Sequence, residues 1–282
     1  MSDHSAVTVA FQGELGAFSF SAARHFFNAE IIDAQPFERF KQVFEALSTG
    51  RVTHAVIPIE NTLYGSIHEN YDHLIQHDVR ISGETTIRIA HQLIAAPGVP
   101  FVNVRRVFSH PVALDQCRRF FSEFPHLAPV SFYDTAGSVK MLTEKQLTDA
   151  AAIASEASAE IYGGVILKRN IEDNQDNFTR FFLLTKQIQK GDKFCRGDFW
   201  KTSIVFSIAN LPGALFKAMA CFALRDLSLT KIESRPIREK PWEYLFYVDV
   251  IGCIEDEKVE KALLHLEELT SFLKVLGSYR PN

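Results

Sequence analysis

The chain has 282 residues, 46% hydrophobic and 23% charged, with 30 Lys and Arg against 34 Asp and Glu and a formal net charge of -4. That length and balance suit a globular protein of two domains, or of one large and one small. A mildly acidic chain without a basic block excludes nucleic acid as an expected partner, and no apolar run is long enough to span a bilayer as a helix.

Residues 7–11 read as an apolar strand, 12–18 as a glycine-containing loop, and Ser19 as the cap of a helix reaching about Phe27. A helix is expected over 38–47, a buried strand over 53–59, a helix over 66–76 and one extended crossing strand over 80–95. Strand and helix then alternate through 107–108, 112–124, 130–132, 135–142, 151–154 and 156–161. Such alternation predicts an α/β domain of parallel sheets covered by helices. The polar stretch 187–198, with Gly191 and Gly197, reads as a linker. Beyond it the order is strand 201–208, helix 214–224, strands 229–234 and 242–251, helix 256–269 and strand 272–276, the βαββαβ order of an α+β ferredoxin-like fold. The expected domains are therefore 1–186, a linker over 187–199, and 200–282. The second would expose a sheet edge, which predicts a homodimer through it, with pairing of dimers into a homotetramer left open.

The start of the chain shows no basic region followed by an apolar stretch, so no secretory signal is expected and the cytoplasm is the predicted compartment. The four cysteines, Cys117, Cys195, Cys221 and Cys253, stand far apart and form no Cys-x-x-Cys pair, which predicts reduced thiols. The pairs His73/His77 and His54/His68 lack a flanking acid in ligating arrangement, so no metal site is expected.

Four polar segments fall where α/β folds place ligands, after a strand and at a helix start. In the first, residues 11–19, Gly13 and Gly16 let backbone amides approach an anion, although a plain tight turn explains the segment by itself. In the second, Glu60, Asn61 and Thr62 crowd a strand exit and Gly65-Ser66 is read as opening the next helix; a pocket rim and simple capping are equally good readings. In the third, Ser109-His110-Pro111, Pro111 fits the first helical position and Ser109 or His110 would cap, with Gln116 further along the helix. A hydrolase triad with Asp134 is disfavoured, because adjacent Ser and His rarely point together and no Gly-x-Ser-x-Gly elbow is present. In the fourth, Asn177-Phe178-Thr179-Arg180-Phe181, a hydroxyl and a guanidinium sit among aromatics; Arg180 could grip a carboxylate or pair with a structural acid.

Together, in this order and spacing, these segments resemble the prephenate dehydratase family. The motifs are Glu60-Asn61-Thr62 with Gly65-Ser66, Ser109-His110-Pro111 with Gln116-Cys117, Asp134-Thr135-Ala136-Gly137-Ser138, and Asn177-Phe178-Thr179-Arg180-Phe181. The tail is similar to an ACT regulatory domain, through Asn210-Leu211-Pro212-Gly213-Ala214-Leu215 and Glu233-Ser234-Arg235-Pro236. The resemblance implies a two-lobed catalytic domain like a periplasmic binding protein, needing no cofactor. It would act on prephenate, releasing water and carbon dioxide to give phenylpyruvate. It implies Thr179 as the group at the departing hydroxyl, with Asn61, Ser109 and Gln116 orienting the substrate. Thr62, Thr135, Ser19 and Glu60 would complete the binding site, and Arg180 would bind a carboxylate or brace its loop. L-Phenylalanine is the implied effector, held by Asn210, Leu211, Gly213, Ala214, Leu215, Glu233 and Ser234. Two departures stand out: Phe216 replaces a smaller aliphatic residue, and Val112 stands where many relatives carry Gln. No chorismate mutase segment is expected ahead of residue 7. Arogenate dehydratase, the same chemistry on an amino analogue, and a non-catalytic solute sensor are the rival readings.

Overall fold

The computed structural model describes residues 7–27, 32–186, 199–237 and 243–281. Apart from Phe199 the expected linker lies outside the described residues, as does Trp242 at the start of an expected strand. The described residues fall into two compact units: those up to His73 with Thr85–Leu183, and Leu74–Glu84 with those from Leu184 onward. This division differs from one drawn along the sequence at 186 and 200.

The first unit opens with β1 (Thr8–Gln12), α1 (Phe18–Phe26), β2 (Asp33–Phe37), α2 (Phe40–Thr49), β3 (His54–Asn61) and β4 (Gly65–Ser66). β1 pairs in parallel with β2 and β3, while β4 folds back antiparallel on Glu60 and Asn61. Gly65-Ser66 therefore belongs to a hairpin rather than to the next helix, α3 (His68–Gln76). β2 was not foreseen because Pro36 interrupts it; proline is tolerated there because β2 is the edge strand and Pro36 has no N–H to pair. Val56, Ile57 and Ile59 of β3 are fully buried, each contributing about 1.5–3 kcal/mol of transfer free energy.

The expected strand 80–95 is two strands, β5 (Val79–Arg88) and β6 (Gln92–Ala95), separated at Ile89-Ala90-His91. β6 begins the second lobe, which continues with β7 (Arg106–Ser109), α4 (Pro111–Asp115), α5 (Arg118–Glu123), β8 (Ala128–Ser131), α6 (Thr135–Glu144), β9 (Ala150–Ala154), α7 (Glu156–Tyr162) and β10 (Val165–Lys168). The strand order is β10-β6-β9-β7-β8. β7 runs parallel to β8 and β9, but β6 is antiparallel to β9 and β10, so the sheet is mixed rather than parallel. β9 shows why it reads as continuously apolar: Ala151 and Ile153 pack into one cluster, Ala150, Ala152 and Ala154 into another, so both faces are covered. One helix was expected over 112–124, and it is broken at Gln116-Cys117. The Asp173 carboxylate accepts from the amides of Arg118 and Arg119 at 2.9 and 3.0 Å, and the Gln116 carbonyl accepts from Asp173 N at 2.7 Å. Those bonds replace the helical ladder there. β11 (Phe178–Lys186) then returns to the first lobe between β3 and β5.

The second unit contains β12 (Lys201–Ile208), α8 (Ala214–Ala223), β13 (Leu229–Pro236), β14 (Tyr244–Ile251), α9 (Glu257–Leu269) and β15 (Phe272–Tyr279), in sheet order β13-β14-β12-β15 with antiparallel pairing. Ile204, Phe206 and Ile208 face the helices. The opposite face of β12 is also buried, and residues 74–84 explain how. Lys201 Nζ lies 2.7 Å from Glu84 Oε1, and Lys274 Nζ donates to the carbonyls of Leu74 and His77 at 2.9 Å. A Cβ on Gly277 would meet the Ile81 carbonyl at 2.1 Å, so no larger residue fits. Cys117 and Cys221 are buried free thiols, but Cys253 is disulfide-bonded, which corrects the expectation of reduced thiols throughout.

Candidate active site

The first unit holds a cavity of about 530 Å³ whose wall comes from both of its lobes. Thr179, Asn61, Gln116, Ser19 and Thr135 all line it. So do Phe18, Tyr64, His91, His110, Tyr133 and Asp134, none of which sequence reasoning had assigned to the site. No lysine or arginine is among the described lining residues, so an anion there meets neutral donors.

Thr179, at the start of β11, is 8% exposed. Its Oγ1 accepts from Asn61 Nδ2 at 3.0 Å, and no described residue takes its proton. Asn61 also donates to Asn177 Oδ1 at 2.8 Å and to the Phe178 carbonyl at 3.1 Å, while its Oδ1 accepts from the amides of Leu63 and Tyr64. One asparagine thus ties the turn after β3 to the start of β11 and leaves the threonine O–H available to a ligand.

Ser19 is not the helix cap. Ala17 occupies that position without a side-chain acceptor, and Ser19 is buried in the first turn. The opening turn of α1 therefore presents amides that no side chain caps, beside the Ser19 hydroxyl. By contrast His110 Nδ1 accepts from Val112 N at 3.3 Å to cap α4, and Asp134 Oδ1 accepts from Gly137 N at 2.7 Å to cap α6. Burial pushes the Asp134 carboxyl above its ordinary range, and burial followed by the Glu14 contact pushes the Tyr133 phenol up to about 12. Burial holds His91 below its ordinary value, so it is neutral at pH 7. In the Gly13–Gly16 loop, Gly13 N donates to the Phe37 carbonyl, and Gly16 O accepts from Ser155 and Ser158 hydroxyls at 2.5 and 2.9 Å. A Cβ on Gly16 would come within 2.8 Å of Ser158 Cα, so the glycine serves close packing between lobes.

Ser109, Glu60, Thr62 and Arg180 are not among the described lining residues. Ser109 is fully buried and its hydroxyl donates to the Ile153 carbonyl at 2.6 Å. Thr62 Oγ1 donates to the Asp176 carbonyl and accepts from Phe178 N. Arg180 Nη2 lies 3.1 Å from Glu60 Oε2, and its guanidinium stacks over Phe182 at 5.3 Å. Each of these groups closes on the protein: Ser109 bonds across from β7 to β9, and Glu60, Thr62 and Arg180 are engaged where the β3 exit and the start of β11 lie side by side.

In the second unit Gly213 occupies the left-handed region at φ 76° and caps α8, with Asn210, Leu211 and Leu215 exposed and Ala214 half-buried. Glu233 and Ser234 lie on β13 opposite Tyr247 and Phe246. Leu211 and Phe216 are 67% and 77% exposed, an apolar edge beside the predicted effector residues.

Family models match the chain as "Prephenate dehydratase" over residues 9–189 and as "ACT domain" over 202–268. The chain is 46% identical to the Arabidopsis thaliana arogenate dehydratase/prephenate dehydratase 2, a chloroplastic protein, over 99% of this chain and 74% of the relative. It is 40% identical to the bifunctional chorismate mutase/prephenate dehydratase of Aquifex aeolicus, over 97% and 73%. Among solved structures it is similar to the Arthrobacter aurescens prephenate dehydratase in complex with L-Phe, with a TM-score of 0.87 and 31% identity over 97% of this chain and 90% of that one. It is also similar to GqqA, described as a quorum-quenching acylase, with a TM-score of 0.89 and 32% identity over 98% of each chain. With its motifs gathered around one cavity and matches along nearly its whole length, the chain belongs to the prephenate dehydratase family and carries a C-terminal ACT domain.

Proposed function

We propose that the chain is a lyase that converts prephenate and one proton into phenylpyruvate, carbon dioxide and water. The observation that carries this reading is the Thr179 hydroxyl, fixed as an acceptor by Asn61 at 3.0 Å with its proton uncommitted, on a cavity wall. Loss of the ring carboxylate as carbon dioxide expels the ring hydroxyl and aromatises the ring, so the step requires neither redox chemistry nor a covalent intermediate. What it requires is a hydrogen-bond donor at the leaving oxygen and a fixed pose. A threonine is a very weak acid, so Thr179 works by donating a strong hydrogen bond and relaying a proton rather than by ionising. The uncapped start of α1 with Ser19, and Thr135 at the start of α6, suit the two carboxylates; Gln116 supplies an amide donor. Fixed neutral dipoles replace water around the reacting groups, which is the main source of acceleration. Ser109, Thr62 and the Glu60–Arg180 pair brace this wall from behind.

Arogenate is the second substrate to test, since relatives near half identity carry both names. It differs from prephenate at the side-chain amine, remote from the Thr179 chemistry. An acylase reading, suggested by the GqqA likeness, needs a hydroxyl activated by a base; the described hydrogen bonds of Ser19, Thr135 and Thr179 include none to a histidine. We further place phenylalanine at the Asn210–Leu215 turn and Glu233-Ser234, with the exposed Leu211 and Phe216 edge meeting a second copy, as a dimer or a tetramer. The catalytic segment is then 1–186 and the regulatory one 200–282. No described helix is long and apolar enough to cross a membrane, and we place the protein in the cytoplasm. Ultraviolet detection of phenylpyruvate from prephenate, and of phenylalanine from arogenate, with and without added phenylalanine, tests the reading. No product from either substrate would reject it, and light scattering would report the assembly.

A further inference from the structure

His91 lies in the break between β5 and β6, where a single strand was expected, and its ring lines the cavity. Its Nε2 is 2.6 Å from Gln116 Oε1. A glutamine carbonyl oxygen carries no proton, so this contact requires Nε2–H as the donor. In the neutral ring Nδ1 is then a bare lone pair, and the structure leaves Nδ1 buried without a hydrogen-bond partner. Burial, which holds His91 below its ordinary pKa, is consistent with that neutral form.

The residue is held through its backbone as well as its ring. Its backbone N–H donates to Glu172 Oε2 at 2.8 Å, Glu172 is itself fixed by Arg88 Nη2 at 2.6 Å, and Phe18 meets the ring edge-on at 5.7 Å. Gln116 has a complementary arrangement: its Oε1 is engaged by His91, while its Nε2 donates to no described residue and its side chain lines the cavity. A glutamine amide can turn over at little intrinsic cost, and the wrong face would present an oxygen to a dianion. The histidine removes that freedom.

We infer that His91 is a positioning residue that acts through Gln116, locking the amide so that its NH2 edge faces the substrate carboxylate. The inference rests on the dehydratase reading for the identity of the carboxylate, but the geometry on which it turns is independent of turnover. Long-range proton–nitrogen NMR of the histidine rings in the intact protein tests it first: His91 is expected as the Nε2–H tautomer with bare Nδ1. An Nδ1–H tautomer would mean the amide is reversed and would overturn the inference even if the enzyme turns over prephenate.

Kinetics then tests the coupling. His91→Phe keeps an aromatic ring and is expected to lower kcat/KM about tenfold, the worth of one hydrogen bond, mostly through KM. His91→Gln, whose amide reaches the Nε2 position, should recover most of the loss. In a Gln116→Ala background, His91→Phe should cost less than twofold more. Independent, multiplying losses, or a His91→Gln no better than His91→Phe, would reduce His91 to packing. A folding failure of the phenylalanine variant leaves the His91→Gln, Gln116→Ala and NMR arms to decide.

Discussion

Beneath β12 in the second unit a group of buried polar side chains closes on itself, and in the cavity of the first unit several polar atoms are left open. Lys201 meets Glu84, whose other oxygen accepts from Tyr279; Ser203 donates to Asp249 at 2.5 Å and contacts Tyr279 at 2.7 Å; Thr202 and Ser278 share a bond at 2.8 Å. Around the cavity, the Thr179 proton, the Nδ1 lone pair of His91 and the first amides of α1 have no described side-chain partner. A closed network specifies a fold, whereas an open polar group on a cavity wall is available to a ligand. The difference separates what holds this chain together from what it acts with.

The largest effect that would break this comparison is removal of the second unit. Deleting residues 199–282 strips Glu84 of Lys201 and Tyr279, removes Lys274 from the carbonyls of Leu74, Ile75 and His77, and bares Val79 and Ile81. Exposing Val79 and Ile81 costs about 1.5–3 kcal/mol each, a large share of a stability of roughly 5–15 kcal/mol. The truncated chain is expected to lose its cooperative thermal transition in circular dichroism. A sharp transition near that of the full chain would show that residues 74–84 stand without their closed network.

Thr179→Ala comes next. It removes the open donor but not the fold, and the phenylpyruvate assay should show kcat reduced by about 10²–10⁴ with an unchanged melting temperature. Ser109→Ala sharpens the contrast, because Ser109 was assigned to catalysis from its motif, yet its proton goes to Ile153 O at 2.6 Å. Its loss should keep turnover within about tenfold while costing roughly 1–3 kcal/mol of stability, since a buried carbonyl loses its donor. Equal kinetic damage from both variants would dissolve the distinction between open and closed hydroxyls.

How far the chain could be read from its residues follows the same line. The strand 201–208 and the helix from Ala214 were legible because their periodicity is local and Gly213 marks the turn. The motif residues Asn61, Gln116 and Thr179 were legible because short polar runs at strand exits stand out. What could not be read depended on distant partners. Asp173 breaks a helix at Gln116 from more than fifty residues away, and the allegiance of residues 74–84 rests on Lys201, Lys274 and Gly277. His91 was hidden inside a run of alternating residues that looks like one strand, and only the break after Arg88 turns it into the cavity.

The smallest expected effect is a pH dependence of stability, and its sign discriminates. His91 is buried and neutral, with burial holding its folded pKa below the ordinary value of 6.5. Below pH 6.5 the unfolded chain therefore takes up a proton that the folded chain refuses, so the unfolded state binds more protons and stability falls as pH falls through that window. His54, also lowered by burial, adds to the slope, whereas Asp134, raised by burial above 3.8, opposes it at more acid pH. Denaturant unfolding of wild type between pH 7.5 and pH 5.5 should show this decline, and His91→Phe should flatten it. A slope unaltered by that substitution would mean that His91 gains its proton in the folded state, and a cavity wall without lysine or arginine would then carry a cation.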